Sequence, residues 1–141
     1  MRKINKIIVH CTATPQGSDR TVANIKKWHT TAPPNGRGWS DIGYHYIIYL
    51  DGSIHNGRDI KKDGFHTLNH NKGSIGVVYV GGTDKDLKPL DTINDAQLAS
   101  LVLLLRGLQA TYPSATIHGH NEFAVKACPS FSIKEKILPL L

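Results

Sequence analysis

The stretch KIIVHC, residues 6–11, decides how the rest of the chain is read. Three β-branched residues in a row, Ile7, Ile8 and Val9, favour an extended backbone, and a short continuous apolar run is the mark of a buried strand. The run ends at two residues that carry chemistry, His10 and Cys11. Outward from it, the segments switch between the helical and strand periodicities. TVANIKKWHTT (21–31) sets Val22, Ile25 and Trp28 or His29 at helical spacing, and Pro33–Pro34 closes it. YHYIIYLDGSIHNG (44–57) reads as a hairpin turning through Asp51–Gly52. SIGVVYVGG (74–82) is a second β-branched strand. TINDAQLASLVLLLRGLQATYP (92–113) is the main helix, with Thr92 as its expected N-cap, Leu98, Leu101, Val102, Leu105 and Leu108 on one face, and Pro113 as its stop. ATIHGH (115–120) gives a short strand and SIKEKILPLL (132–141) a brief terminal helix. These alternations predict one α/β domain (α+β in some schemes) over residues 1–141, a central mixed β-sheet flanked by helices.

Composition narrows the function classes. A chain of 141 residues, 40% hydrophobic, can bury a real core. Its longest apolar run, Leu101–Leu105, falls far short of the roughly 20 residues that span a bilayer, so no membrane partner is expected. Two cysteines do not make a disulfide framework. The net charge of +6 is spread along the chain, with only short clusters such as Lys26–Lys27 and Lys61–Lys62. It reads as solvated surface charge, and no specific nucleic-acid site is expected.

The densest chemistry lies in HGHNEFAVKACPSF, residues 118–131. Imidazole and thiolate are zinc ligands, and a catalytic zinc takes three protein ligands with one position left open. Cys128 and a histidine of this segment supply two, and His10 at the end of its strand is the best third. Alternation then turns Cys11 away from the site, into the core. His118 and His120 compete for the second position, because strand alternation puts both on one face and spacing does not choose between them.

Taken together, IIVHCTAT, GWSDIGYHYIIYLDGSIHNGR, SIGVVYVGG and GHNEFAVKACPSF, which span roughly residues 6–132, resemble in order and spacing the zinc-dependent N-acetylmuramoyl-L-alanine amidases of the short phage-lysozyme type. That family shares its fold with the peptidoglycan recognition proteins. The resemblance implies one zinc ion per chain, held by His10, His120 and Cys128, with His120 and not His118 as the second ligand. It implies catalytic roles for Tyr44 and Lys126, and a substrate contact for His66 in DGFHTLNHN. Two departures bear on the groove wall: Asn121 stands where relatives often have His or Arg, and GFHT replaces a commoner small-residue pattern.

The implied reaction is hydrolysis of the amide between the lactyl group of N-acetylmuramic acid and L-alanine of the stem peptide. The residues suit it on their own chemistry. Two neutral imidazoles and one thiolate leave a zinc ion net positive, able to polarise a carbonyl, and Tyr44 and Lys126 can hydrogen-bond a developing oxyanion. Peptidoglycan is the expected partner, its negative charge suiting a basic protein, and the chain is expected to be a monomer. Without a secretion signal, it is expected in the cytoplasm until lysis, or exported by a signal-independent route, and to act on the cell wall. Two alternatives remain. A non-catalytic peptidoglycan-binding module would lack zinc ligands. A cysteine hydrolase built on Cys128 would need a positioned base and a lowered thiol pKa.

Overall fold

The structure, a computed structural model, describes residues 2–141. KIIVHC forms β1 (Lys6–Cys11), which lies inside the sheet with parallel neighbours on both edges. On one side is β5 (Ser74–Tyr79), in register Val9↔Val77; on the other is β7 (Thr116–Gly119), in register Val9↔Gly119. Beyond β5 lies β3 (Tyr46–Ile48), parallel to it, and the hairpin partner β4 (Ile54–Asn56) closes the edge antiparallel. The order β4-β3-β5-β1-β7 is a mixed sheet. Parallel central strands explain the continuous apolar runs, since a strand covered on both faces has no polar alternation to show.

Alternation sorts the side chains into two layers. Ile7, Val9, Cys11, Ile75, Val77 and Tyr79 pack with Leu101, Leu105 and Leu108 of α2 (Asp95–Thr111) and Ile133 of α3 (Ile133–Lys136). Val78, Val80 and Ile47 pack on the opposite face with Ile25 of α1 (Val22–Thr30) and Ile42. Helices therefore cover both faces, as the α/β reading expects. Fully burying a leucine stabilises by about 1.5–3 kcal/mol, and Leu101 and Leu105 are completely buried. Cys11 falls in the α2 layer, as alternation requires, but its side chain also lies beside that of Cys128, so it is not wholly turned away from the site; both cysteines are free thiols.

The start of α2 corrects the reading of Thr92. Asn94 is the N-cap: its side chain accepts the Gln97 N–H at 2.8 Å, and the Gln97 side chain accepts the Asn94 N–H at 3.1 Å. Thr92 is buried instead, and its hydroxyl accepts the Gly82 N–H at 2.7 Å. A small parallel pair was not anticipated: β2 (Thr14–Pro15) runs beside β6 (Gly82–Thr83).

Candidate active site

Strand register builds the site. Because Val9 pairs with Gly119, the next residues of the two strands, His10 and His120, come side by side, with ring centroids 4.7 Å apart. His120 opens a short 3-10 turn, His120–Glu122, so the chain leaves the sheet at that residue. The loop then returns Cys128 to the end of β1. The Asn121 N–H donates to the Cys128 carbonyl at 2.8 Å, and the Cys11 N–H donates to the Cys128 Sγ at 3.2 Å. Two more bonds hold the turn behind it: Tyr79 Oη donates to Pro129 O at 2.6 Å, and Ser130 Oγ to Gly82 O at 2.8 Å. One ligand atom each from His10, His120 and Cys128 lies within 4.8 Å of the others.

His118 is on the same strand but elsewhere in space. It pairs with Ile8, and both its ring nitrogens are engaged, Nδ1 with Glu122 Oε1 at 2.9 Å and Nε2 with Thr116 Oγ1 at 2.7 Å. The signal that separates it from His120 is the register of β7 on β1, which spacing within one segment does not carry.

The three donors fit a divalent cation. Burial drives the pKa of His10 well below the ordinary value, and burial with the nearby Lys126 charge lowers that of His120, so both imidazoles are neutral and carry a lone pair. The Cys11 side chain beside it, together with burial, pushes the Cys128 thiol up, a cost that a bound cation reverses by deprotonating the sulfur. His10 Nδ1 and Cys128 Sγ are 3.8 Å apart. Tetrahedral zinc with Zn–S of about 2.3 Å and Zn–N of about 2.0 Å would set such a pair about 3.5 Å apart.

Two of these donors, His120 and Cys128, line a groove of about 450 Å³, and His10 is buried behind them. Tyr44 and Lys126 both line it. The Tyr44 ring sits 5.2 Å from that of His10, and burial raises its phenol pKa, so it stays a proton donor. Lys126 is exposed, and among the described residues its side chain makes no hydrogen bond or ion pair. His66 also contributes to the wall, but its ring is wedged behind His10, with Nδ1 3.0 Å from His10 Nε2 and Nε2 3.2 Å from Ser74 Oγ. Burial, then the neighbouring histidines and the Arg2 and Arg58 charges, lower its pKa to about 3, so the ring is neutral.

Residue-level reading did not single out the groove's aromatic wall. Trp39 and Phe65 face each other at 5.1 Å, Arg37 lies over Trp39 at 5.1 Å, and His29 backs Tyr44 at 5.5 Å. They come from the end of α1 (His29), the loop after it (Arg37 and Trp39) and a distant loop (Phe65), so no spacing within one segment announces the wall.

Comparisons with known proteins identify the family. Residues 1–131 match the family described as N-acetylmuramoyl-L-alanine amidase. The endolysin of Escherichia phage T7 is 43% identical over 128 residues, covering 91% of this chain and 82% of the relative. Among solved structures, the N-acetylmuramoyl-L-alanine amidase LysC from Clostridium intestinale URNW superposes with a TM-score of 0.81 at 28% identity, covering 99% of this chain and 86% of that one. An ectodomain complex of peptidoglycan recognition proteins LCa and LCx, solved bound to tracheal cytotoxin, gives 0.74 at 26% identity, over 99% and 84% of the two chains. With a groove, a donor set and a family pattern that coincide over most of its length, the chain belongs to the N-acetylmuramoyl-L-alanine amidases and is a peptidoglycan amidase.

Proposed function

We propose that the chain acts as a single domain that holds one zinc ion through His10, His120 and Cys128 and hydrolyses the amide joining the lactyl group of N-acetylmuramic acid to L-alanine. The observation that carries this reading is the convergence of the three donor atoms within 4.8 Å at a groove lined by two of them, His120 and Cys128, together with Tyr44 and Lys126. When bound, zinc supplies Lewis-acid polarisation of a carbonyl and lowers the pKa of water. The chain's own residues do the rest. Tyr44, kept protonated by burial, donates its phenolic hydrogen to the carbonyl oxygen as negative charge develops there. Lys126, which also lines the groove, supplies an ammonium for the same charge, or a proton for the leaving amine. The Trp39–Phe65 pair gives apolar faces for the peptide, and His66 contributes its part of the wall.

A cysteine hydrolase fits less well, because a thiol nucleophile needs one base beside it and leaves the second histidine of the donor set without a purpose. A binding-only module leaves the full donor set without a purpose. Among the described residues no helix is long and apolar enough to cross a membrane. We take the protein to be a monomer that is held in the cytoplasm until lysis, with the cell wall as its site of action. The test is metal analysis coupled to peptidoglycan digestion. One zinc per chain and chelator-sensitive release of stem peptides are expected; metal-free protein with full activity would refute the reading.

A further inference from the structure

We propose that His66 is a positioning residue for His10: a one-way chain of hydrogen bonds through His66 and Ser74 fixes His10 as its Nε2–H tautomer and leaves the bare Nδ1 facing Cys128. This rests on the reading of His10 as a metal ligand.

The direction of the chain is forced from its far end. A carbonyl only accepts, so the Ser74 hydroxyl donates to the Asn71 carbonyl at 3.0 Å. That hydroxyl has one hydrogen, so in its 3.2 Å contact with His66 Nε2 the ring must donate. A neutral imidazole carries a single N–H, which leaves His66 Nδ1 as an acceptor. The group it faces at 3.0 Å is His10 Nε2, which therefore donates. Thr67 Oγ1 flanks the same bond, 2.9 Å from His66 Nδ1 and 3.3 Å from His10 Nε2. With its proton on Nε2, His10 presents an unprotonated Nδ1 at 3.8 Å from Cys128 Sγ, the form a metal needs.

The seat of the His66 ring is built for that one ring. A Cβ at Gly64 would lie 2.5 Å from His66 Cδ2, and one at Gly76 would lie 2.6 Å from the same atom, closer than real contacts allow. Asn71 closes the chain with its carbonyl and also fixes the loop with its side chain: its Oδ1 accepts the N–H of His66 at 2.8 Å and of Thr67 at 2.9 Å. Strand β5 thus carries both the acceptor, Ser74, and one wall of the seat, Gly76.

The choice of partner has a chemical consequence. Metal-bound histidines usually donate their second N–H to a carboxylate, carbonyl or water, and a carboxylate raises ligand basicity. A neutral imidazole in that place puts no negative charge behind His10, which leaves a bound cation more electrophilic toward an amide carbonyl.

The experiment is long-range ¹H–¹⁵N correlation of the imidazole rings in metal-free and zinc-loaded protein, followed by zinc affinity by chelator competition in variants. Both His10 and His66 are expected as Nε2–H tautomers in both forms. His66→Ala should weaken zinc binding by about 10–100-fold and Ser74→Ala by about 10-fold, the scale of such outer partners. Ser74→Thr, which keeps the hydroxyl, should restore affinity and the visible spectrum of the cobalt-substituted protein. A His66 ring carrying its proton on Nδ1 would overturn the proposal. So would His66→Ala and Ser74→Ala with wild-type zinc affinity and only a raised KM, the signature of a substrate contact. Should the wild-type protein take up no zinc, the ligand reading fails, and the metal-free spectrum still decides the tautomers.

Discussion

At the scale of single residues, two histidines two positions apart have opposite fates, and their hydrogen bonds say why. His118 spends both ring nitrogens on Glu122 and Thr116, whereas His120 stands beside His10 at the mouth of the groove. Alanine at His120 should therefore empty the metal site and abolish turnover, while His118→Ala should keep one zinc per chain, read by elemental analysis of dialysed protein. The reverse pattern would reassign the ligand. Tyr44→Phe removes only the phenolic donor, so it should keep the metal and lower kcat by about 10²–10³-fold if the hydroxyl acts in the transition state. A variant that changed KM alone would mark Tyr44 as a wall residue. His10, Cys128, Tyr44 and Lys126 were legible because a family pattern names them in short conserved-order blocks of this sequence, IIVHC, GYHY and VKAC. What holds them was not. The seat of His66 needs Gly64, Gly76, Ser74 and Asn71 together, and their arrangement depends on the packing of a loop on a strand.

At the scale of elements, the strands were readable from β-branched runs and α2 from its leucine stripe, because burial on a regular face repeats in sequence. Caps and very short strands do not repeat. Thr92 and Asn94 are both cap-forming types, and only the reciprocal bonds between Asn94 and Gln97 decide between them. Asn94→Ala should cost about 1 kcal/mol of stability, whereas Thr92→Val, which leaves the buried Gly82 N–H without its acceptor, should cost about 1–3 kcal/mol. Equilibrium denaturation measures both. A larger loss from Asn94→Ala than from Thr92→Val would contradict the assignment. The two-residue strands Thr14–Pro15 and Gly82–Thr83 were invisible for the same reason: a pair of residues has no period.

At the scale of the whole molecule, several buried histidines make the fold sensitive to acid. Burial lowers the pKa of His29 to about 4 and, helped by the Arg2 and Arg58 charges and opposed by the Lys62 carbonyl, that of His45 to about 4. Both accept backbone N–H bonds at Nδ1, from Gly43 at 2.9 Å and Gly76 at 3.0 Å, which requires that nitrogen to be bare. The unfolded chain takes up these protons near pH 6.5 and the folded one only near pH 4. The unfolded state thus binds more protons in that window, so stability is full above it and falls as pH drops from about 6.5 toward 4, by up to about 1.4 kcal/mol per pH unit for each histidine. Urea midpoints at pH 7, 5.5 and 4.5 should decline in that order. A flat series would mean that these rings are not neutral in the fold.

The central claim is that this basic groove cuts an amide with help from a metal, and the bond cut is directly observable. Glycosidases flank their bond with two carboxylic acids, whereas here a cluster of two histidines and a cysteine stands at a groove that a tyrosine and a lysine also line. Mass spectrometry of soluble products from purified peptidoglycan is the decisive measurement. Free stem peptides beginning with L-alanine, no new reducing sugar ends, and loss of release on chelation with recovery on added zinc are the predicted result. Disaccharides still joined to their peptides would contradict it.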